Sequence, residues 1–377
     1  MKKSTLKKYG QYHKCVFHIH TPASHDYTLI PGGTCSKTLI DYAMKIGFLR
    51  ENFNEIEDFT YKGFKNQHEC LSYLLLANKL VDEEIEIAVV TDHNCIDGFC
   101  KLADAIKILK EKGGKTLKVF PQIILGIEIS CSDKNHVVGI FNHLNSKKEL
   151  QDWINDYIIS PKDGTYLSSL EVLEMINSKK GIGYIAHINS SDIFRKKYLS
   201  RVYKERLFNT YSLKILGLSN MDKKISVENS IKNYSDKKFN FILDEDSHSL
   251  YELGTKTFWL KTQTLNFEGI KSSLNDFDCS ISYSKPTFPD SYVKALYFDG
   301  TGFISSKNNT GEGDVLVFSE SMNCIIGGRG SGKTTLLNSL NLLISQLVDS
   351  SSSLKNALSQ GYLCMLYRHE KEVEWQQ

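Results

Sequence analysis

Six of the eleven histidines and three carboxylates gather where short β-branched runs end. In chain order they are His18 and His20 with Asp26, then His93, Glu128, His136, His187, and finally Asp246 with His248. Imidazole nitrogen and carboxylate oxygen are donors suited to Zn²⁺, Mn²⁺ and Fe²⁺, and a carboxylate can bridge two such ions. Nine donors exceed the need of one ion and suit a cluster of two or three. Such a cluster polarises a phosphoryl oxygen and lowers the pKa of water towards about 7, which is the chemistry of phosphate-ester hydrolysis. One histidine in a buried strand is ordinarily a satisfied core residue, and one His-x-His pair says little more. Five separate strand-associated positions with acid partners are not explained that way. Period-two alternation puts His18 and His20 on one strand face. Glu128, alone on its strand between the histidine groups, is the expected bridging ligand.

These residues need a frame, and the sequence predicts one. Apolar runs at residues 15–20, 85–91, 123–129, 136–141, 183–188, 213–218 and 239–243 read as strands. Amphipathic stretches at 71–81, 101–111, 168–178 and 194–208 lie among them. Repeated βα units imply a mostly parallel α/β sheet, and seven imply a closed or nearly closed barrel. In such barrels chemistry sits where strands end. Most of the donors obey this rule; His136 is the exception, at the start of its run. Residues 29–84 are long for one connection, and the polar, aromatic part at 52–67 is expected to be an inserted loop with a helix.

A second chemistry lies downstream. Gly327, Gly328, Arg329, Gly330, Ser331, Gly332, Lys333 and Thr334 fit G-x-x-x-x-G-K-[ST], with Thr335 following. The motif follows an apolar run at 324–326 and precedes a helical pattern at 335–347, the strand–loop–helix context that a phosphate loop requires. Its glycines let backbone N–H groups wrap phosphates, Lys333 neutralises them, and Thr334 is placed to ligate Mg²⁺. ATP with Mg²⁺ is the expected ligand. A Walker-B carboxylate should come later in the chain, and little sequence follows. The stretch Phe241-Ile242-Leu243-Asp244-Glu245 looks like one in isolation, but it lies upstream and reads as the seventh barrel strand.

The paired prolines Pro286 and Pro289 mark a break. The expected organisation is a phosphoesterase domain at 1–284, a linker at 285–294 and part of a P-loop domain at 295–377, with hairpin-like strands at 296–298, 302–304, 315–318 and 324–326. The net charge of +2 does not announce a polyanion partner. Nine scattered cysteines without a Cys-x-x-Cys pair argue against a disulfide framework or zinc ribbon and fit a reducing, cytoplasmic setting. The basic N-terminus has no apolar run after it, as a signal peptide would, and no stretch of about 18 apolar residues predicts a membrane span.

The pieces Phe17-His18-Ile19-His20-Thr21-Pro22-Ala23-Ser24, Thr91-Asp92-His93-Asn94, Gly126-Ile127-Glu128, Ala186-His187 and Asp246-Ser247-His248 together resemble the polymerase and histidinol phosphatase (PHP) family of metal-dependent phosphoesterases. The resemblance covers roughly residues 10–285 and implies a distorted seven-fold βα barrel with a trinuclear site. It implies one ion at His18, His20, Glu128 and Asp246, a second at Glu128, His136 and His187, and a third at Asp26, His93 and His248. Two departures stand out. His25 intervenes where the family places an aspartate, so Asp26, eight residues after His18, is preferred with His25 as its rival. Ile188 follows the Ala-His pair where the family often has proline. His13, His68, His143 and His369 match nothing.

The strands and phosphate loop after the break resemble the start of ABC/SMC-type ATPase heads, and the whole resembles TrlF-type PHP–ATPase fusions, which continue well beyond the loop. A truncated chain, a homodimer through the head, or a partner completing it is therefore expected. The fusion implies a nuclease acting on DNA more than RNA and regulated by ATP; the alternatives are a small-molecule phosphomonoesterase and a non-catalytic nucleotide sensor. A basic stretch, Arg195, Lys196, Lys197, Arg201, Lys204 and Arg206 interleaved with Phe194, Tyr198 and Tyr203, could follow a nucleic-acid backbone, although a solvated helix face explains it at least as well.

Overall fold

The computed structural model describes residues 9–49, 63–112, 119–194, 199–300, 313–345, 361–369 and 372–376. It divides into two units, Gln11–Lys285 and a second formed by Pro286–Gln377 with Met1–Gly10. Residues 52–62 of the expected insertion, and Arg195–Tyr198 of the basic stretch, lie outside the described residues.

The first unit runs β1 (Gln11–Ile19), α1 (Ser36–Lys45), α2 (Gln67–Asp82), β2 (Ile87–Val90), α3 (Asp97–Lys112), β3 (Gln122–Ser130), β4 (His136–Phe141), α4 (His143–Tyr157), β5 (Ile158–Ser160), β6 (Gly164–Thr165) and α5 (Ser169–Ser178). It continues through β7 (Ile182–Ile185), α6 (Arg201–Asn209), β8 (Ile215–Leu218), α7 (Lys224–Ile231), β9 (Asn240–Leu243), β10 (Phe258–Thr262), α8 (Phe267–Asn275), α9 (Phe277–Ser280) and β11 (Ile281–Ser282). Each of the seven expected runs contains a strand. These seven are consecutive neighbours in a nine-stranded sheet ordered β11-β10-β1-β2-β3-β4-β7-β8-β9.

The sheet curls back on itself. Beyond β9, the Glu245 amide donates to the Phe17 carbonyl and the His20 amide to the Ser247 carbonyl, both at 3.1 Å. One edge of β1 is thus shared, by antiparallel β10 along Gln11–Cys15 and by the segment after β9 further up. The sheet is mixed rather than mostly parallel, because β4 is antiparallel to both β3 and β7. The β3–β4 connection at 131–135 is a turn, and a turn can join only antiparallel strands.

Strand alternation sorts the core into two layers. Phe17, Ile87, Val89, Ile124, Val138, Ile140, Tyr184 and Ile242 pack together inside the curl. Val16, Ile19, Ala88, Val90, Leu125, Ile127, Ile185 and Phe241 face outward against the helices. Along β3, β4 and β9 the inward parity continues to Glu128, His136 and Asp244, so the apolar plug is capped by polar residues at one end. Among the surrounding helices, α5 begins with a full capping box between Ser168 and Glu171, and Asn66 accepts from the Glu69 amide at the start of α2.

The second unit contains β12 (Tyr292–Gly300), β13 (Asp314–Val317), α10 (Lys333–Ser345), β14 (Gly361–His369) and β15 (Glu372–Gln376), with an antiparallel sheet ordered β13-β12-β14-β15. β12 starts inside the stretch expected as linker. Residues 302–304 lie outside the described residues, and the run at 324–326 is not a strand. Ile326 is 89% exposed; no described strand pairs with this run, and an apolar stretch without a ladder partner does not hold strand geometry. All nine cysteines are free, and no described helix is long and apolar enough to cross a membrane.

Candidate metal centre

All nine expected donors meet at the one end of the curled sheet. His20 follows β1, His93 follows β2, Glu128 lies near the end of β3, His187 follows β7, and Asp246 and His248 follow β9. His136 opens β4, and because β4 runs antiparallel its start lies at the same end as the other strands' finishes. Its apparent exception in the sequence is therefore a consequence of strand direction.

His18 reaches the cluster by a different route from simple alternation. Regular pleating would turn it into the outer layer beside Val16. Its backbone is left-handed (φ 67°), and the β1–β2 register shifts between Val16 and Ile19. The bulge returns the ring to the inside. His187 (φ 29°) and Asp246 (φ 52°) also take positive φ. Such conformations cost a non-glycine residue about 1–3 kcal/mol each, and strain of this kind concentrates at functional sites.

Glu128, fully buried, is the hub. Its Oε2 lies 3.0 Å from His18 Nε2, 3.3 Å from His20 Nε2 and 3.0 Å from His93 Nδ1. Its Oε1 lies 2.7 Å from His136 Nδ1 and 3.3 Å from His187 Nε2. Asp246 Oδ1 stands 3.5 Å and 3.6 Å from His18 Nε2 and His20 Nε2. On the outer side, Asp26 Oδ2 lies 3.2 Å from both His93 Nε2 and His248 Nε2. Asp26 rather than its rival His25 makes these approaches; His25 only sets its ring beside that of His93, centroids 5.2 Å apart.

A set of supporting groups orients the rings. Asp244 accepts from His18 Nδ1 at 2.7 Å, from the Tyr184 hydroxyl at 3.2 Å, and from the His187 amide. Gly217 makes room for it, since a Cβ there would sit 2.5 Å from Asp244 Oδ2. Ser24 Oγ donates to Asp92, so it accepts from His20 Nδ1 at 2.9 Å and from the His93 amide at 2.9 Å. Asp92 in turn holds the Thr21 amide and hydroxyl, at 2.7 and 2.9 Å. With Nδ1 of His18 and His20 turned to these acceptors, Nε2 is the nitrogen each ring presents to the centre.

The electrostatics follow from this crowding. Burial works against a charge on His18, but the Asp244 and Glu128 carboxylates outweigh it and hold its pKa well above the usual imidazole value. Burial likewise opposes the Glu128 charge, and the facing His18 together with the hydrogen bonds from His136 and His187 turns the net shift well below the carboxylate range. His93 is pushed down to about 4, chiefly by burial. Yet His18 Nε2, His20 Nε2, His93 Nδ1 and Glu128 Oε2 are buried with no hydrogen-bond partner in acceptable geometry. Buried polar atoms are rarely left so. Four atoms converging without protons correctly aimed between them are what a cation site looks like, and His18, His20, Glu128 and Asp246 lie mutually within 4.8 Å, as do His93, Glu128 and His136, and His20, His93 and His248. The residues fit divalent ions of the Mn²⁺, Zn²⁺ or Fe²⁺ kind.

The sequence reading passed over Asp244 as part of a strand with a Walker-B look, and gave no role to Ser24 or Asp92. The detectable signal was an aspartate two residues before a ligand, the inward spacing on a strand. Glu245, the other half of that look-alike, accepts from the amides of Gly254, Thr255 and Lys256 and staples that loop. Of the basic stretch, Arg201 pairs with Glu205 at 2.7 Å, Lys204 is buried with its ammonium 5.4 Å from the Tyr234 ring, and the Tyr203 hydroxyl donates to Asp133 at 2.5 Å. Lys204 and Tyr203 thereby serve the fold, whereas Arg201 and Arg206 are exposed.

In the second unit, Gly327–Gly332 forms a loop leading into α10. Gly330 and Gly332 have φ of 81° and 85°, open to glycine. The Lys333 ammonium donates to the Gly327 and Gly328 carbonyls at 2.8 and 2.7 Å. Arg329, Ser331 and Thr334 are exposed, and Thr335 is half-buried in the first turn of α10.

No family model matches this chain. An uncharacterised protein of Streptococcus pneumoniae serotype 4 (strain ATCC BAA-334 / TIGR4) is 35% identical over 224 residues, covering 57% of this chain and 86% of that protein. The chain belongs to the same family as that protein. Solved structures with some likeness include an Endonuclease Q complex with a 27-mer duplex substrate carrying an abasic lesion at the active site, with TM-score 0.44 at 14% identity over 71% of this chain and 57% of that one. The lesion-specific endonuclease PfuEndoQ from Pyrococcus furiosus gives 0.44 at 13% identity over 71% and 56%. A two-domain Bacteroides vulgatus ATCC 8482 protein containing a predicted PHP-like metal-dependent phosphoesterase gives 0.38 at 10% over 80% and 83%. This chain spans just over half the length of the two endonuclease chains.

Proposed function

We propose that the first unit is a PHP-type, metal-dependent phosphoesterase that hydrolyses phosphodiester bonds of nucleic acid, DNA more than RNA, and that the phosphate loop of the second unit binds ATP with Mg²⁺ to regulate it. The observation that carries the hydrolase reading is the set of four buried, unpartnered atoms formed by Glu128 Oε2, His18 Nε2, His20 Nε2 and His93 Nδ1, with the His18 ring held from behind by Asp244 and the His20 ring by Ser24. His18, His20, Glu128 and Asp246 would hold one ion, Glu128, His136 and His187 a second, and Asp26, His93 and His248 a third. Bound there, divalent ions would supply Lewis acidity towards a phosphoryl oxygen and an acidified water.

The chain's own residues account for the rest. Glu128, Asp246 and Asp26 bring three carboxylates to one spot, a charge that repels a phosphate until cations offset it. His18, His20 and Glu128 are sealed from solvent, whereas the side chains of Asp26, Asp246, His136 and His248 keep 41%, 31%, 33% and 26% of their exposure. A phosphodiester therefore approaches over the outer four. Asp244, Ser24 and Asp92 keep the inner rings from turning, so the donors are pre-oriented before substrate arrives.

The test is cleavage of single-stranded DNA, duplex DNA and RNA by purified protein supplied with Mn²⁺, with His20→Ala as control. The reading requires cleavage of at least one by wild type and none by the variant. Turnover of an aryl phosphate monoester without cleavage of any nucleic acid would replace it with the phosphomonoesterase reading. For the loop, the reading requires saturable ATP binding.

A further inference from the structure

The rim of the metal centre carries an aromatic surface that the hydrolytic chemistry does not use. β4 descends from the centre, α4 climbs back, and α5 descends again towards β7, so the β5–β6 hairpin between α4 and α5 lies at the ligand end of the sheet. It is bonded there. Asn94, next to His93, donates from Nδ2 to the Pro161 carbonyl at 2.9 Å and accepts on Oδ1 from the Ser130 amide at 3.0 Å. The Ser132 amide donates to the Leu167 carbonyl at 2.9 Å. Gly164 (φ 73°) lies so close to β3 that a Cβ would stand 2.1 Å from the Ser130 carbonyl oxygen, two residues past Glu128.

Among polar residues such as Asp156 and Asp163, this hairpin and the end of α4 show three large apolar side chains to solvent. Tyr166 is 60% exposed, Ile159 62% and Tyr157 37%. Tyr157 is held by stacking on buried Trp153, centroids 5.5 Å apart at 19°, and the Tyr166 ring follows at 6.4 Å. Single exposed tyrosines are ordinary on a protein surface; a graded series from a buried tryptophan to an open ring, tied to a ligand's neighbour, is a built edge. Two exposed cations, Lys162 in the hairpin and Lys134 in the β3–β4 turn, share the rim with Asp163, an exposed carboxylate turned to the Ser160 hydroxyl at 2.6 Å.

We propose that Tyr166 and Tyr157 form a stacking platform for an unpaired nucleobase beside the scissile phosphate, with Lys162 and Lys134 facing the flanking backbone, so that the substrate is single-stranded or locally unpaired nucleic acid. This rests on the phosphodiesterase reading. An aromatic face stacks any base without reading its identity, and cations beside it track phosphates. A base inside a duplex is already stacked on its neighbours and offers no free face, which is why the platform selects unpaired nucleotides.

The test compares wild type, Tyr166→Ala and Tyr166→Phe, in the full chain with Mn²⁺, on a single-stranded oligonucleotide and on bis(p-nitrophenyl) phosphate, which has no base. The expected result is an oligonucleotide KM raised about tenfold by Tyr166→Ala. The ratio of oligonucleotide to aryl-diester kcat/KM should fall by the same factor, and Tyr166→Phe should restore it. An oligonucleotide with 2-aminopurine at successive positions should show quenching at one of them that the alanine variant loses. An unchanged substrate ratio, or no restoration by phenylalanine, overturns the platform while leaving the hydrolase reading intact. Wild-type turnover of the aryl diester without cleavage of nucleic acid overturns the nucleic-acid reading and the platform with it, and turnover of neither overturns the hydrolase reading itself.

Discussion

His18 donates through Nδ1 to Asp244 across 2.7 Å, and both side chains are fully buried. The same carboxylate takes the amide of His187, so one group fixes a ring of the first ligand set and the backbone of the second. Asp244→Ala should therefore weaken metal binding at both, by about 10–100-fold, the usual effect of losing a carboxylate behind a ligating histidine. Asp244→Asn, which keeps an oxygen for His18, should fall between. Titration with Co²⁺ followed by visible absorption reads this without any substrate; unaltered spectra and affinity in the alanine variant would refute the role.

Ser24 links His20, His93 and Asp92 through one hydroxyl. Ser24→Ala removes an acceptor from a ring and from an amide, both buried. We expect metal affinity to drop about tenfold and stability by about 1–3 kcal/mol for the groups left unsatisfied, measured by calorimetric metal titration and by urea unfolding of the metal-free protein. Thermodynamics matching wild type in both would contradict the network.

Metal binding should release protons near neutral pH. The His18, His20 and His187 pKa values are raised in the metal-free site by the neighbouring carboxylates, so these rings hold a proton more firmly than a free imidazole, and a cation must displace it. Protonation of ligands competes with the ion, so affinity should rise with pH until these groups are deprotonated. His93, pushed down to about 4, is neutral at pH 7 and contributes no proton. Calorimetry at pH 7 in buffers of different ionisation enthalpy measures the released protons directly. A binding enthalpy independent of buffer would show that none are displaced.

Lys333 at present donates to loop carbonyls; phosphates would take over those donors. Lys333→Ala should weaken ATP binding by about 10–100-fold, the worth of a charge-assisted hydrogen bond, with metal content unchanged. Equal affinity in variant and wild type, by fluorescent-nucleotide titration, would remove the loop from the account.

Much of the frame could be read from the chain because it rests on local pattern. The seven apolar runs are each long enough to announce a strand, and most of the nine donors sit at or just past their ends. What escaped depends on long-range geometry. The direction of β4 follows from the short 131–135 turn, which explains His136. The bulge at His18 breaks the alternation that would otherwise turn the ring outward. Asp244 matters through partners 57 to 226 residues away, and no local spacing reveals them. At 324–326 the error ran the other way: an apolar run without a described pairing strand is not a strand.

The central claim is that the cluster around Glu128 holds catalytic metal. Metal quantification by mass spectrometry on wild type and Glu128→Gln, each followed by the nucleic-acid panel with Mn²⁺, tests it most directly. The account predicts two or three ions per wild-type chain, at most one in the variant, and cleavage by wild type falling at least about a hundredfold with the substitution. A single tightly held ion in both proteins with no hydrolysis by either would mark the centre as structural and contradict the account.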